Sequence, residues 1–378
     1  MSKQGYGYLG INILRFVGPG AVNRGKNGEL KSISWGDVIH PRNSSQKEKD
    51  AIRSFFKESE GVPMSLQSRA WGLWIATELI NRGIPKEKAD KFAKEIMDNF
   101  LDHNKAKAQE KKDAAEKKKK DAIASGKEIK EKKEKNPLYS ETVRLFPEEK
   151  AQLELAIEGL ANGTIKDPKD INFNHMGYAA DILFHGTMRP VSRLGAVSVG
   201  HAFGVNVMAS EDDYFVAKDD LRNEPWYQEN PESSAHMGTT NISAPLMYNY
   251  IEVNKDLLIK NLNGNVQEAN KLIGLLVEAA CKNGARSSST GGAQTHTYAS
   301  CAIVEKMTGC PRSLGVAFER PASTIDEAVN RIRSFREALN KAYAETVPCK
   351  EFFFYTNESG KMVTSPDTIN ELIEFAKS

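Results

Sequence analysis

The sequence predicts an α+β fold with a ferredoxin-like βαββαβ core. Two observations carry this. Segments of strand composition alternate with segments of 3.6-residue apolar rhythm, and removing two insertions leaves strand, helix, strand, strand, helix, strand. Residues 6–16, YGYLGINILRF, combine aromatic and β-branched residues with partial alternation and read as the first strand. Residues 17–42 read as a loop. A helix follows over 44–57, entered at Ser44-Ser45-Gln46. Residues 66–81, 86–101 and 148–161 carry helical spacing. Residues 106–135 are rich in Lys, Glu and Ala with little apolar periodicity, so they fit a protruding charged helical hairpin or a disordered loop. From Ala179 strand composition returns in ADILFHG and LMYNYIEV. A long helix over 265–282, a Gly/Ser/Thr loop over 284–294 and the strand YASCAIVEKM come next. Helices over 325–343 and 366–377 flank the strand FFFY. No internal repeat is apparent.

The chain has 378 residues, 40% hydrophobic and 27% charged, which are values of a folded globular protein. No run approaches the apolar length of a membrane span, and residues 1–10 have no apolar signal core, so the expected location is the cytoplasm. Cys281, Cys301, Cys310 and Cys349 form no CxxC pair, which argues against a zinc ribbon or a redox motif. The net charge of +2 hides polarity: residues 104–135 hold 13 Lys against seven acidic residues, so the rest of the chain is mildly acidic. Basic groups gathered in one groove fit this distribution better than a uniformly basic surface.

The densest basic segment is 23–53, with Arg24, Lys26, Lys31, Arg42, Lys47, Lys49 and Arg53 leading into a helix N-terminus. Unpaired N–H groups and partial positive charge there can seat an anion, and Lys49 and Arg53 share a helix face. Such a multidentate site suits a phosphate backbone better than one small phosphate. An ordinary N-cap with a solvated charged face fits the same residues, as does the phosphate clamp of a metabolic enzyme. Residues 284–294, GARSSSTGGAQ, match neither a Walker loop nor a dinucleotide fingerprint. Arg286 could meet a phosphate, or the segment could be a simple connector. His185, His201 and His236 lack metal-ligand spacing, and no GxSxG elbow marks a nucleophile, so no metal, no cofactor and no catalysis are expected. Met188 and Tyr214-Phe215-Val216 are either core residues or apolar wedges between stacked bases.

Several blocks resemble, in order, the CasC family, the backbone subunit of the type I-E CRISPR surveillance complex Cascade. Asn23-Arg24, Arg42, Ser44-Ser45-Gln46, Lys49 and Arg53 resemble its NRDD…RISSQxLKRAxR region. Asp181-Ile182 with Gly186-Thr187-Met188 is similar to DIAxxGRM, and VSVGHAF to a segment around Ala-His-Ala. EDDYFVAKDDL is similar to DxDWFTAVDDL, SAHMGTTNISAPLMYNYIEVNKDLLIKNLNG to SAHLGTxEFxSxxFYRYxxIxLxxLxxNLGG, and CPRSLGVAFERP to PxSLxxAFEKP. Gln294 and Tyr298 roughly match a GAKQRTYAA loop.

The resemblance implies a modified RRM palm, a helical fingers insertion and a small thumb hairpin. The expected divisions are 1–58 palm, 59–176 fingers with the Lys-rich arm, 177–190 a palm strand, 191–240 thumb, and 241–378 the rest of the palm. It implies RNA contacts at Asn23, Arg24, Lys31, Arg42, Ser44, Ser45, Gln46, Lys49, Arg53, Arg286, Gln294 and Tyr298. Met188, Phe215 and Val216 would be thumb wedges, with Val216 replacing the family Thr and Thr187 the family Arg. Lys111, Lys112, Lys117, Lys118, Lys119 and Lys120 would touch nucleic acid without sequence preference. The implied function is a non-catalytic subunit that polymerises along a CRISPR guide RNA and presents it to target DNA. Its partners would be the guide, the target, further copies of itself, and the large, small, cap and guide-processing subunits, with no membrane.

Overall fold

The computed structural model describes residues 6–101, 136, 138–139, 142–174, 177–186, 194–217, 220, 224–225, 236–287 and 290–378. Its strands are β1 (Tyr8–Phe16), β2 (Ser32–Trp35), β3 (Val38–Asn43), β4 (Leu66–Ser68), β5 (Val143–Leu145), β6 (Val197–Val199) and β7 (Ala202–Gly204). They continue with β8 (Glu211–Ala217), β9 (His236–Ile242), β10 (Leu246–Asn254), β11 (Cys301–Met307), β12 (Cys349–Thr356) and β13 (Met362–Thr364). The helices are α1 (Ser45–Glu58), α2 (Trp71–Asn81), α3 (Lys86–Phe100), α4 (Pro147–Ala161), α5 (Ala180–His185), α6 (Lys255–Asn261), α7 (Val266–Lys282), α8 (Ile325–Ala342) and α9 (Ile369–Lys377). Two compact units result, 1–60 with 196–378, and 61–195.

The first unit is built on an antiparallel sheet in the order β13-β12-β11-β1-β10-β7-β3-β2, with β6 also beside β10. β1 is covered on both faces, so its sequence is a near-continuous apolar run rather than a clean alternation. One face packs Leu14, Tyr248, Ile303 and Phe318 against Ile325, Ala328, Val329 and Ile332 of α8. Asn12 is buried there without penalty because it accepts from the Tyr248 hydroxyl at 2.6 Å and from the Leu314 N–H at 3.3 Å. Beside the other face lies α7, in contact with β1, α1 and α9. α7 buries Ala269, Leu272, Ile273, Leu276, Val277 and Ala280, the spacing of one apolar stripe. Side-chain caps fix the helix starts: Ser44 for α1, Asn254 for α6, Asn265 for α7, Thr324 for α8 and Thr368 for α9.

The second unit has its own core of Trp71, Ile75, Leu79, Ile96, Phe100, Leu145, Leu153 and Ile157, contributed by α2, α3, β5 and α4. β4 pairs with β5 through Leu66 and Leu145.

Three sequence expectations are corrected. ADILFHG is the helix α5, not a palm strand, and it lies in the unit 61–195. Ala180, Ile182 and Phe184 are all fully buried, which mimics the period-2 signature of a strand. The helix is anchored at Asp181, whose carboxylate accepts from the Ser65 N–H at 2.9 Å and the Ser65 hydroxyl at 2.5 Å. Second, the expected loop 17–42 contains the hairpin β2–β3, whose turn places Gly36 at φ +55°. Third, Leu66–Ser68 is strand, and the Ser68 hydroxyl accepts from the Ala70 N–H at 3.0 Å just ahead of α2. Within the expected thumb range, β6 and β7 join the large sheet beside β10, and β8 pairs with β9 as a separate ribbon. Met188 and the six arm lysines 111, 112 and 117–120 lie outside the described residues.

Candidate nucleic-acid interface

The basic loop is ordered by its own backbone. Arg24 and Leu30 form an antiparallel bridge, and Gly25 donates to the Glu29 carbonyl at 2.7 Å. Lys31 then donates to the Asn23 carbonyl at 3.0 Å, and Arg42 to the Lys31 carbonyl at 2.8 Å. Three expected site residues are thus zipped together by main-chain bonds. The Asn23 amide continues the chain, donating to the Ser44 hydroxyl at 3.0 Å.

Ser44 caps α1 from an extended conformation, and its hydroxyl accepts from the Lys47 N–H at 3.4 Å. The first N–H of the helix, that of Ser45, is taken by Nδ1 of His201 at 3.0 Å, and Nη1 of Arg42 lies 3.2 Å from the same nitrogen. Both neighbours are obligate donors, so Nδ1 carries the lone pair and Nε2 the proton. β3–β7 pairing makes this possible: Arg42 faces Phe203 and Asn43 faces Ala202, which leaves His201 beside the helix entry. The sequence gives His201 no metal-ligand spacing, and its positioning role has no local signal.

Two buried side chains of opposite charge, Arg15 and Glu48, fix the floor. Glu48 accepts from the Asn43 amide at 3.1 Å and the Ala285 N–H at 3.3 Å. Arg15 donates to the carbonyls of Thr297 at 2.7 Å and Cys281 at 3.3 Å, and to that of Ala280. Burial lowers the Arg15 pKa and raises that of Glu48, and each side chain's charge opposes the other's shift. β1, α1, the end of α7 and the loop after it are locked together at this point.

The described residues of that loop, 283–287 and 290–298, include several that lie against α1. Asn283 donates to the Ala51 carbonyl at 2.7 Å. The Thr295 hydroxyl accepts from the Ser287 N–H at 2.9 Å and donates to the Gly292 carbonyl at 2.6 Å. At Gly18 a Cβ would come within 2.1 Å of the Gln294 carbonyl oxygen, so glycine is required for the close backbone approach. Between loop and helix opens a cleft of about 480 Å³, with Lys47, Asp50, Ser54, Arg286 and His296 in its lining. The structure therefore brings Arg286 against α1. Gln294 and Tyr298 are exposed and do not line this cleft, while Gln46 is exposed and Lys49 and Arg53 are half-buried on α1.

The β8–β9 ribbon exposes every residue of β8. Phe215 opposes Gly238 and its ring lies across that residue: a Cβ there would meet the ring at 2.7 Å. Tyr214 and Val216, 60% and 53% exposed, project to the opposite face of the ribbon. Among the described residues, no His, Cys, Asp and Glu side chains converge as a metal site, and no helix is long and apolar enough to cross a membrane.

Residues 9–375 match the family described as CT1975-like protein, so the chain belongs to that family. No curated protein matches it. Among solved structures it is similar to a chain of a "CRISPR RNA-guided surveillance complex, pre-nicking", with 22% identity over 90% of each chain and a TM-score of 0.72. A second, from a "CRISPR RNA-guided surveillance complex", has 17% identity over 97% of this chain and 94% of that one, with a TM-score of 0.63. At these identities the likeness is one of fold.

Proposed function

We propose that this CT1975-like chain is a guide-RNA-binding backbone subunit of a CRISPR surveillance complex, without catalysis of its own. The observation that carries the reading is the convergence of Asn23, Lys31, Arg42, Ser44 and Ser45 at one capped helix entry, in a chain whose fold matches subunits of such complexes. Donors held by main-chain bonds suit a polymeric phosphate backbone, which needs position rather than base readout. Copies would assemble head to tail along the guide, leaving its bases free for target DNA. The type I-E resemblance of the sequence blocks favours a Cascade-type assembly with large, small, cap and guide-processing partners in the cytoplasm.

The palm reading is supported by the run β1, α1, β7, β10, α7, β11 and by the sheet order β11-β1-β10-β7, which are the succession and order of an RRM-like core. The β8–β9 ribbon is the part best suited to the thumb role. The test is the RNA content of the purified protein: short RNAs of uniform length are expected, and a preparation free of RNA that also fails to bind added guide would overturn the proposal.

A further inference from the structure

The cleft between α1 and the loop 283–298 has a lining that a phosphate track alone does not explain. Lys47 and Arg286 line it from two different elements, and Asp50 and Ser54, three and seven residues after Lys47 on α1, line it as well. A carboxylate only accepts hydrogen bonds and repels phosphate, so a surface made solely for phosphates has no use for it. A ligand that is anionic at one end and carries a hydroxyl or amine donor at the other uses both charges. The volume, about 480 Å³, exceeds what a lone phosphate fills and lies within the range of small-molecule sites. His296 adds a flat ring at the rim. Nη1 of Arg286 lies 3.3 Å from its Nδ1, so the imidazole orients the guanidinium while Nε2 keeps its proton as a further donor.

We infer that this cleft is a ribonucleotide pocket: it seats one nucleotide unit of a single-stranded RNA, with Lys47 and Arg286 on the phosphate and Asp50 accepting the ribose 2′-hydroxyl. The inference rests on the guide-binding reading and deepens it, because the 2′-hydroxyl is the group that distinguishes RNA from DNA at a single site. Selection of RNA over DNA in the guide groove then falls to Asp50, while the basic groups supply affinity for either.

The experiment measures binding of one single-stranded RNA and the DNA of the same sequence, by fluorescence anisotropy, to the full chain and to three variants. The wild type should prefer RNA by about tenfold, the scale of one hydrogen bond to a charged group. D50A should lose most of that preference with its DNA affinity unchanged, and D50N, which keeps shape and an acceptor without the charge, should fall between. The double variant K47A/R286A should weaken RNA and DNA alike. Asp50 is exposed, so unaltered circular dichroism is expected for D50A and D50N. An unchanged RNA-to-DNA ratio in D50A overturns the pocket, as does a rise in RNA affinity, which would make the carboxylate merely repulsive. Failure of the wild type to bind RNA at all overturns the guide-binding reading, and the two results are distinct.

Discussion

Ser45 donates its backbone N–H to Nδ1 of His201 at 3.0 Å, across 156 residues of sequence. The contact joins the first turn of α1 to the β6–β7 connection and supplies a partner that the helix itself cannot provide. The same nitrogen holds Arg42 in place. One imidazole therefore aligns two elements of the basic site.

Replacing His201 with Ala should cost about 1 kcal/mol of stability, the usual value of a lost helix cap. It should also weaken RNA binding, because Arg42 loses its orienting neighbour. Urea unfolding and RNA titration of the same variant read both effects. A variant as stable and as tight as wild type would show that the ring is a bystander.

The paired change Lys49→Ala and Arg53→Ala tests the phosphate contacts. Each lost contact to single-stranded RNA should flatten the slope of log K against log salt by about 0.7, so the pair should flatten it by about 1.4. Affinity should fall alike for unrelated sequences. If both slope and affinity stay at wild-type values, these residues do not touch phosphate.

Arg15 and Glu48 are buried opposite charges that influence each other without a direct hydrogen bond, and no local sequence signal brings them together. Removing one partner leaves an uncompensated buried charge, which typically costs about 3–5 kcal/mol. Glu48→Ala should fall in that range by urea unfolding. The double change to Leu at both positions should be milder than the sum of the singles, because no lone charge remains. A Glu48→Ala variant within about 1 kcal/mol of wild type would mean that the pair does not clamp the loop.

How far the sequence could be read follows from where the information sits. α1, α7 and α8 announce themselves because a cap and an apolar stripe are local signals, as at Ser44 and over Leu272, Ile273 and Leu276. α5 reads as a strand because its apolar residues Ala180, Ile182 and Phe184 alternate, and its anchor is Ser65, 116 residues from Asp181. β2 and β3 carry little strand signal because Ser32–Trp35 and Val38–Asn43 are short and mixed in polarity, and they become strands by pairing with each other and with β7. In the site, Asn23, Arg42 and Ser44 were visible as a cluster of residue types. His201, Glu48 and Asp50 were not, since their roles arise from chain segments that meet only in the fold.

The β8–β9 ribbon offers the sharpest mechanistic test. Phe215 lies across Gly238, so it is already packed on its own hairpin and presents one edge of the ring rather than a free side chain. A wedge supported in this way keeps its orientation when it meets a base stack, and unstacking a step costs a few kcal/mol that new backbone contacts must offset. Phe215→Ala should lower target-DNA affinity of the assembled complex about tenfold, within the range of one lost base–aromatic contact, while guide binding changes less. Gly238→Ala leaves the ring in the sequence but pushes it from its seat, so it should give the same pattern at smaller amplitude. Mismatches at the positions where the ribbon interrupts pairing should be tolerated, and those between them should not. A mismatch penalty that is uniform along the target, or a Phe215→Ala variant that loses guide and target equally, would remove the wedge from the mechanism and leave the ribbon as a contact between neighbouring subunits.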